Sequence, residues 1–379
     1  MPGRVPPLFL GLRAQNIGSK YLTLHVQKQQ AMKRTEISTL GEFGLINHLT
    51  KDIKLENASS LYGVGDDCAV LHYPNGRTLV TSDMLMEGIH FDLVYTPLKH
   101  LGYKAAMVNF SDIYAMNGQP RQLIVNIAVG KRCSVEDLED LYAGLRLACE
   151  KHHVDIVGGD TSSSVTGLAL SLTCIGEAAE EDIVYRNGAK DTDLICVSGN
   201  LGAAYMGLQL LEREKQVFYS RPAEQAEAAE PDFGGREYLL ERFLKPEARQ
   251  DILKALQEAG IRPTSMMDIS DGLASELLHI CKQSNAGCRI YEERIPLDYQ
   301  TAVTAEEFNM NVSTCALNGG EDYELLFTVP LTDHEKVAQM KDVKIIGHIT
   351  KPELGCVLVA RDSEEFELKA QGWTTTAEQ

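Results

Sequence analysis

The sequence predicts a two-domain α/β (α+β) protein, and three observations carry that reading. The chain has 379 residues, the length of two ordinary domains. Strand-like and helix-like segments alternate along most of it. The alternation breaks once, at the acidic stretch "EAAEED", and then restarts. These features predict an N-terminal extension over 1–35, a first domain over 36–178, a junction at 178–182, and a second domain over 183–379 carrying an insertion at 212–236.

Taken in order, "RTLVTSD" reads as a strand ending in polar residues. "PLKHLGYKAAMVNFSDIYAMNG" is a helix apolar nearly all round, the mark of a buried helix. "QLIVNIAV" is a strand. "SVEDLEDLYAGLRLACEKH" is a helix with Ser134 as N-cap and with Leu138, Leu141, Leu145 and Ala148 on one face. "VDIVGGD" reads as a short buried strand and "LALSLTCIGEA" as another. Past the junction, "DLICVSGNLGAAYMGLQLL" gives strand, loop and helix. Residues 212–236 are polar and acidic with Pro222 and Pro231, and read as a surface insertion or loosely packed helix. "SMMDISDGLASELLHICKQSNAG" is again strand, acidic turn, helix. "YELLFTV", "VKIIGHI" and "CVLVA" complete a second sheet.

The net charge is −18, which disfavours nucleic acid and anionic membranes as partners. An anionic substrate must therefore meet bound cations. No apolar run approaches the length of a membrane span. The nine cysteines show no CxxC spacing and most sit in apolar runs, as expected of buried, reduced thiols in the cytoplasm. The first 30 residues carry Arg4, Arg13, Lys20 and Lys28 without an acid, and are expected to be a disordered tail.

Aspartates recur at the C-terminal ends of apolar segments: Asp66 and Asp67, Asp83, Asp112, Asp160, Asp268 and Asp271, with Glu321 and Asp322. In α/β folds strand ends are where ligands bind. A single carboxylate on a buried helix, such as Asp112, is ordinarily a buried ion pair or a cap contact. Six clusters with the same placement point instead to a shared cation site. The donors are oxygens, which favour Mg²⁺ or Ca²⁺. An EF-hand is excluded, because a loop begun at Asp268 would place His279 where a Glu is needed. Mg²⁺ completes its shell with water and phosphates, so the reading becomes a magnesium–nucleotide site. The ordinary nucleotide motifs are missing, and "GVGDDC" suits phosphate only with metal between.

The motifs "GVGDDCAVL", "TSDMLMEGIHF", "YKAAMVNFSDIYAMNGQP", "VGGDTS", "YRNGAKDTDLICVSGNLG", "MMDISDGLASELLHI", "IPL" and "GGEDYELLFT" occur in one order. In that order the sequence resembles the thiamine-monophosphate kinase family, from about Glu42 to Trp373. The family belongs to the aminoimidazole ribonucleotide synthetase-like ATP-binding superfamily. The resemblance implies an N-terminal mixed sheet with helices that pairs across a homodimer, and a C-terminal α/β sandwich. It implies transfer of a phosphoryl group from ATP to thiamine monophosphate in the cytoplasm, giving thiamine diphosphate. It implies Mg²⁺ ligation by Asp67, Asp83, Asp112, Asp160, Asp268 and Asp271, with Thr81 and Ser82 assisting. Gly159, Asp160, Arg186 and Ser270 resemble ATP contacts, and His90, Glu321 and Trp373 resemble thiamine monophosphate contacts. A sister ATP-dependent synthetase of the superfamily, or a non-catalytic maturation scaffold, stands as the alternative.

Overall fold

The computed structural model describes residues 35, 39–40, 45, 48–62, 70–73, 76–220 and 233–371. Asp66, Asp67, Trp373, the extension before Thr35, and 221–232 of the expected insertion lie outside the described residues.

The first half holds a small antiparallel pair, β1 (Ser60–Tyr62) and β2 (Val70–Leu71), and then β3 (Arg77–Met86), α1 (Leu98–Ala115), β4 (Gln119–Gly130), α2 (Val135–His152), β5 (Asp155–Ser164) and β6 (Ala169–Ala178). The last four strands form a mixed sheet in the order β3-β6-β4-β5, with only β4 and β5 parallel. Alternation sends Leu79, Leu85, Leu123, Val125, Leu170 and Leu172 to one face, where all are buried. Helices α1 and α2 cover that face. Ser134 caps α2 as the sequence predicts, in a capping box with Asp137, and the four predicted apolar residues are buried. β5 departs from its expectation as a short buried strand. It runs ten residues, and its second half, Gly159 onward, lies at a sheet edge with much of its surface in solvent.

The chain passes to the second sheet between Ala178 and Leu194. That half comprises β7 (Leu194–Ser198), α3 (Ala203–Ser220), α4 (Glu237–Leu244), α5 (Gln250–Glu258), β8 (Ser265–Asp268), α6 (Leu273–Ser284), β9 (Gly287–Tyr291), α7 (Tyr299–Glu307), α8 (Val312–Asn318), β10 (Leu325–Val329), α9 (His334–Ala338), β11 (Val343–Thr350), β12 (Cys356–Val359) and β13 (Glu365–Glu367). Its seven strands lie in the order β13-β12-β9-β11-β7-β10-β8. Both faces are covered, which is why "LICVS" and "LLFTV" are apolar without alternation. Ile195, Val197, Met267 and Leu326 pack with α6. Their neighbours Cys196, Met266, Leu325 and Phe327 join the core that contains α1, so one apolar core runs between the sheets. Residues 212–220 take the helical alternative of the reading given for 212–236. They continue α3, a helix whose first half is well buried.

Helix α1 is thus the shared wall of the two halves, and its position is set at one crossing. A Cβ on Gly144 would lie 1.9 Å from the Lys99 carbonyl oxygen, and one on Gly102 2.0 Å from that of Leu141. The backbones of α1 and α2 touch there, and neither glycine has room for a methyl. Gly144→Ala is expected to force the helices apart, lowering stability by about 1–3 kcal/mol. Thermal unfolding checks this; an unchanged melting temperature would show that the contact does not hold α1 in place.

Candidate active site

A cleft of about 760 Å³ opens where the two halves meet, lined by β3, the turn after it, α1, α3, and the loops after β8 and α8. Three carboxylates enter it from three elements. Asp83 comes from the core-facing side of β3, Asp112 from α1, and Asp268 from the end of β8. Asp268 is 4% exposed and accepts a hydrogen bond from Ser111 Oγ at 2.6 Å. Asp112 accepts one from Thr81 Oγ1 at 2.5 Å. Asp83 Oδ2 is buried and receives no hydrogen bond.

Burial, and then the neighbouring Asp112 charge, push the Asp83 carboxyl up to about 6. Burial, with Asp112 and Asp83 adding and Ser111 opposing, pushes Asp268 up to about 7. Asp112 is also raised by burial, against the Thr81 hydrogen bond and the Arg186 guanidinium, which favour its charged form. Three carboxylates that repel one another, Asp268 buried and Asp83 and Asp112 half-buried, one of them with an orphaned oxygen, form an oxygen-donor set suited to a hard divalent cation.

The turn at 268–271 brings Ser270 and Asp271 to the same cleft. The segment 319–323 folds back against that turn. Glu321 N–H donates to the Ser270 carbonyl at 2.6 Å and Tyr323 N–H to that of Ile269 at 2.9 Å. A Cβ on Gly320 would lie 2.5 Å from the Ser270 carbonyl oxygen, so this approach needs a glycine, here at φ +70°. Glu321 itself takes φ +58°, a strained conformation for a non-glycine residue, and turns its carboxylate to Lys104 Nζ at 2.9 Å. Lys104 is 2% exposed and also lies over the Phe243 ring at 4.0 Å. Asp322 turns inward, where it accepts from the Gly202 N–H at 2.7 Å near the start of α3.

His90 stands at the cleft rim, on the turn after β3. Its Nδ1 accepts from the Met86 N–H at 3.0 Å, which leaves the ring proton on Nε2. Partial burial holds its pKa below the ordinary value, so the ring is neutral at pH 7.

The structure does not gather every expected residue. Ser82 faces the other side of β3 from Asp83, where its hydroxyl donates to the Leu172 carbonyl. Gly159 and Asp160 lie on β5, at the opposite edge of the sheet from β3, and do not line this cleft. Arg186 does not line it either, and reaches it only through its charge at Asp112. Conversely, sequence reasoning missed Lys104 and Ser111. They are seven residues apart on one face of a largely apolar helix, and that spacing was the available signal. It also missed Glu212 and Lys215 on α3. Both line the cleft, where Tyr95 donates to Glu212 at 2.8 Å and Lys215 pairs with Asp92 at 2.7 Å.

Residues 65–178 match the family described as AIR synthase related protein, N-terminal domain. The thiamine-monophosphate kinase of Aquifex aeolicus (strain VF5) is 34% identical over 317 residues, covering 84% of this chain and 94% of that protein. That of Bacillus subtilis (strain 168) is 30% identical over 340 residues, covering 88% and 99%. Among solved structures, AaThiL complexed with AMPPCP and TMP matches with a TM-score of 0.69 at 32% identity, covering 92% of this chain and all of that one.

The raised carboxyls give a pH signature. Ordinary aspartate in the unfolded chain titrates near about 4. The folded values of about 6 and about 7 mean that the native state binds more protons in between. Metal-free stability should therefore fall as pH rises through that window, and the loss should be complete above it. Added Mg²⁺ should restore stability near about pH 8 and do little near about pH 5. Thermal unfolding in chelator, with Asp83→Asn as control, reads this directly. An Asp83→Asn chain with the same pH slope as the parent would sink the interpretation.

Proposed function

The chain belongs to the thiamine-monophosphate kinase family, and on that premise we propose that this cleft is where ATP phosphorylates thiamine monophosphate to thiamine diphosphate. The observation that carries the reading is the convergence of Asp83, Asp112 and Asp268 from both halves on one cavity. The accepting group is itself a phosphate, with a second pKa of about 6, so its oxygen is largely ionised at pH 7. No general base is required. The chain's task reduces to aligning two anions and excluding water around them.

We assign Mg²⁺ to the carboxylates of Asp83, Asp112, Asp268 and Asp271, with Thr81 holding Asp112 in place. Asp67, Asp160 and Ser82 remain candidates for the same ion set, and Gly159, Arg186 and Ser270 for the nucleotide. When bound, the metal supplies neutralisation of phosphate charge facing the acidic wall. His90 Nε2 is a neutral donor suited to a phosphate oxygen. Glu321, fixed by Lys104, is a fixed acceptor suited to the cationic and amino groups of thiamine. The reading also implies a homodimer through the outer face of the four-stranded sheet. Val80 is 65% exposed there and Ile124 and Ile175 are only half-buried. Sedimentation of the full chain tests that assembly. The eight described cysteines are free thiols, in keeping with a cytoplasmic enzyme.

Asp112→Asn should lower turnover more than about a hundredfold with ATP, Mg²⁺ and thiamine monophosphate, measured as thiamine diphosphate formed. The same change removes a repelling charge, so the metal-free variant should unfold at an equal or higher temperature near pH 8. Turnover at the parent rate would refute the metal assignment.

Trp373 is the one tryptophan of the chain. As a contact for the flat, cationic rings of thiamine it should contribute about 1–2 kcal/mol, so Trp373→Ala should raise KM for thiamine monophosphate about tenfold and leave that for ATP unchanged. Saturable quenching or shift of tryptophan emission by thiamine monophosphate is the companion measurement. Unchanged emission together with an unchanged KM would remove Trp373 from the site.

A further inference from the structure

Three cysteines at the far side of the second sheet form a cluster with no part in the phosphoryl-transfer cleft. Cys281 projects from α6, Cys288 from β9 and Cys356 from β12. β9 and β12 are parallel neighbours with Cys288 and Cys356 as direct register partners. Their side chains therefore share a face, and α6 brings Cys281 down on it. All three sulfurs lie within 4.8 Å of one another. Cys281 and Cys288 are 2% and 1% exposed, whereas Cys356 is half-buried and opens one side to solvent.

We propose that Cys281, Cys288 and Cys356 form a three-thiolate site for a thiophilic divalent cation of the zinc class. Thiolates select soft and borderline metals and leave Mg²⁺ to the oxygen-lined cleft. Tetrahedral zinc, with Zn–S near about 2.3 Å, holds its sulfurs about 3.8 Å apart, so the sulfurs need close in by only about 1 Å or less. A disulfide uses two sulfurs, and a third at the same mutual distance is surplus to it. With three protein donors the fourth position falls to water or an exogenous ligand, on the side where Cys356 is open. Three thiolates and one divalent ion leave a single negative charge, the smallest this donor set allows in an apolar cluster. The ion would tie the outer strands β12 and β13 to β9 and α6.

The test uses the full chain, reduced and metal-free, with excess Mg²⁺ to occupy the carboxylate cleft. Co²⁺ is the spectroscopic probe, because only sulfur ligation gives thiolate-to-cobalt charge-transfer absorption. The expected result is absorption that saturates at one Co²⁺ per chain and is bleached by Zn²⁺. Cys356→Ser, changed at the most exposed of the three positions, should weaken Co²⁺ binding at least tenfold and keep its phosphotransferase activity. Zn²⁺ should raise the melting temperature of the parent and not of Cys356→Ser. No charge-transfer band in the parent overturns the proposal. So does an undiminished band in Cys356→Ser, or a parent chain that oxidises to a disulfide and, once re-reduced, takes up no Co²⁺.

Discussion

The mutual repulsion of Asp83, Asp112 and Asp268 is the constraint on which the rest of this molecule turns. Each is pushed toward its neutral form by burial, and Asp83 and Asp268 also by their neighbours. Among the described residues, the Arg186 guanidinium acts from the cationic side, on Asp112. Such a cluster is unfavourable in an isolated chain and becomes favourable when cations lie among the carboxylates. The fold therefore stores a deficit of positive charge at the place where polyphosphate must be held. For a protein of net charge −18, attracting ATP to that place would call for cations collected first, as the proposed metal assignment requires.

Holding the deficit requires a rigid frame, and α1 provides it. Its backbone is pressed onto α2 at Gly102 and Gly144, and its apolar faces fill the core between the two sheets. Three polar groups along it reach the second half of the chain. Ser111 reaches Asp268, Lys104 reaches Glu321, and Tyr103 reaches Glu247 at 2.9 Å. A hydrogen bond to a charged group contributes about 1.5–3 kcal/mol, so these ties fix the loops of one half against the helix of the other. Asp112 sits beside them and inherits their precision. The carboxylates are thus aligned by contacts anchored on a buried helix, as a site built on regular elements should be.

Much of this was legible in the sequence, for reasons that differ by element. The Ser134 cap and the apolar stripe of α2 follow from local spacing and needed no partner. The runs at β7 and β10 announced strands; that both are buried throughout follows from helices and core on both faces, which no local pattern shows. β5 misled because "VDIVGGD" shows only its covered half; the polar "TSSS" continues the strand along a sheet edge, where one side needs no apolar residue. Residues 212–220 read as an insertion because Glu212 and Lys215 are polar. They are polar because they face the cleft, paired with Tyr95 and Asp92. The cluster of Asp83, Asp112 and Asp268 could be suspected from placement at strand and helix ends, but which aspartates meet is decided by sheet order. β5 lies at the edge opposite β3, and no local pattern reveals that Asp160 stands apart from the other three.

The two donor sets of the chain lie on opposite sides of the same sheet order. The oxygen donors converge at β8, the edge strand against α1, while the three sulfurs gather at β9 and β12, beyond β11 and toward the other edge. Hard and soft ligands select different ions from one solution by softness and geometry, so neither site need bind its ion more tightly than the other to avoid exchange. The separation has a mechanical side as well. The carboxylate cleft must admit nucleotide and release product, so it has to stay open on one side. A cation among the cysteines would stiffen only the outer strands, whose residues in β13 are exposed along their length and draw little support from the core. Stability would thus be added where the fold is thinnest, without touching the strained loop that carries Glu321.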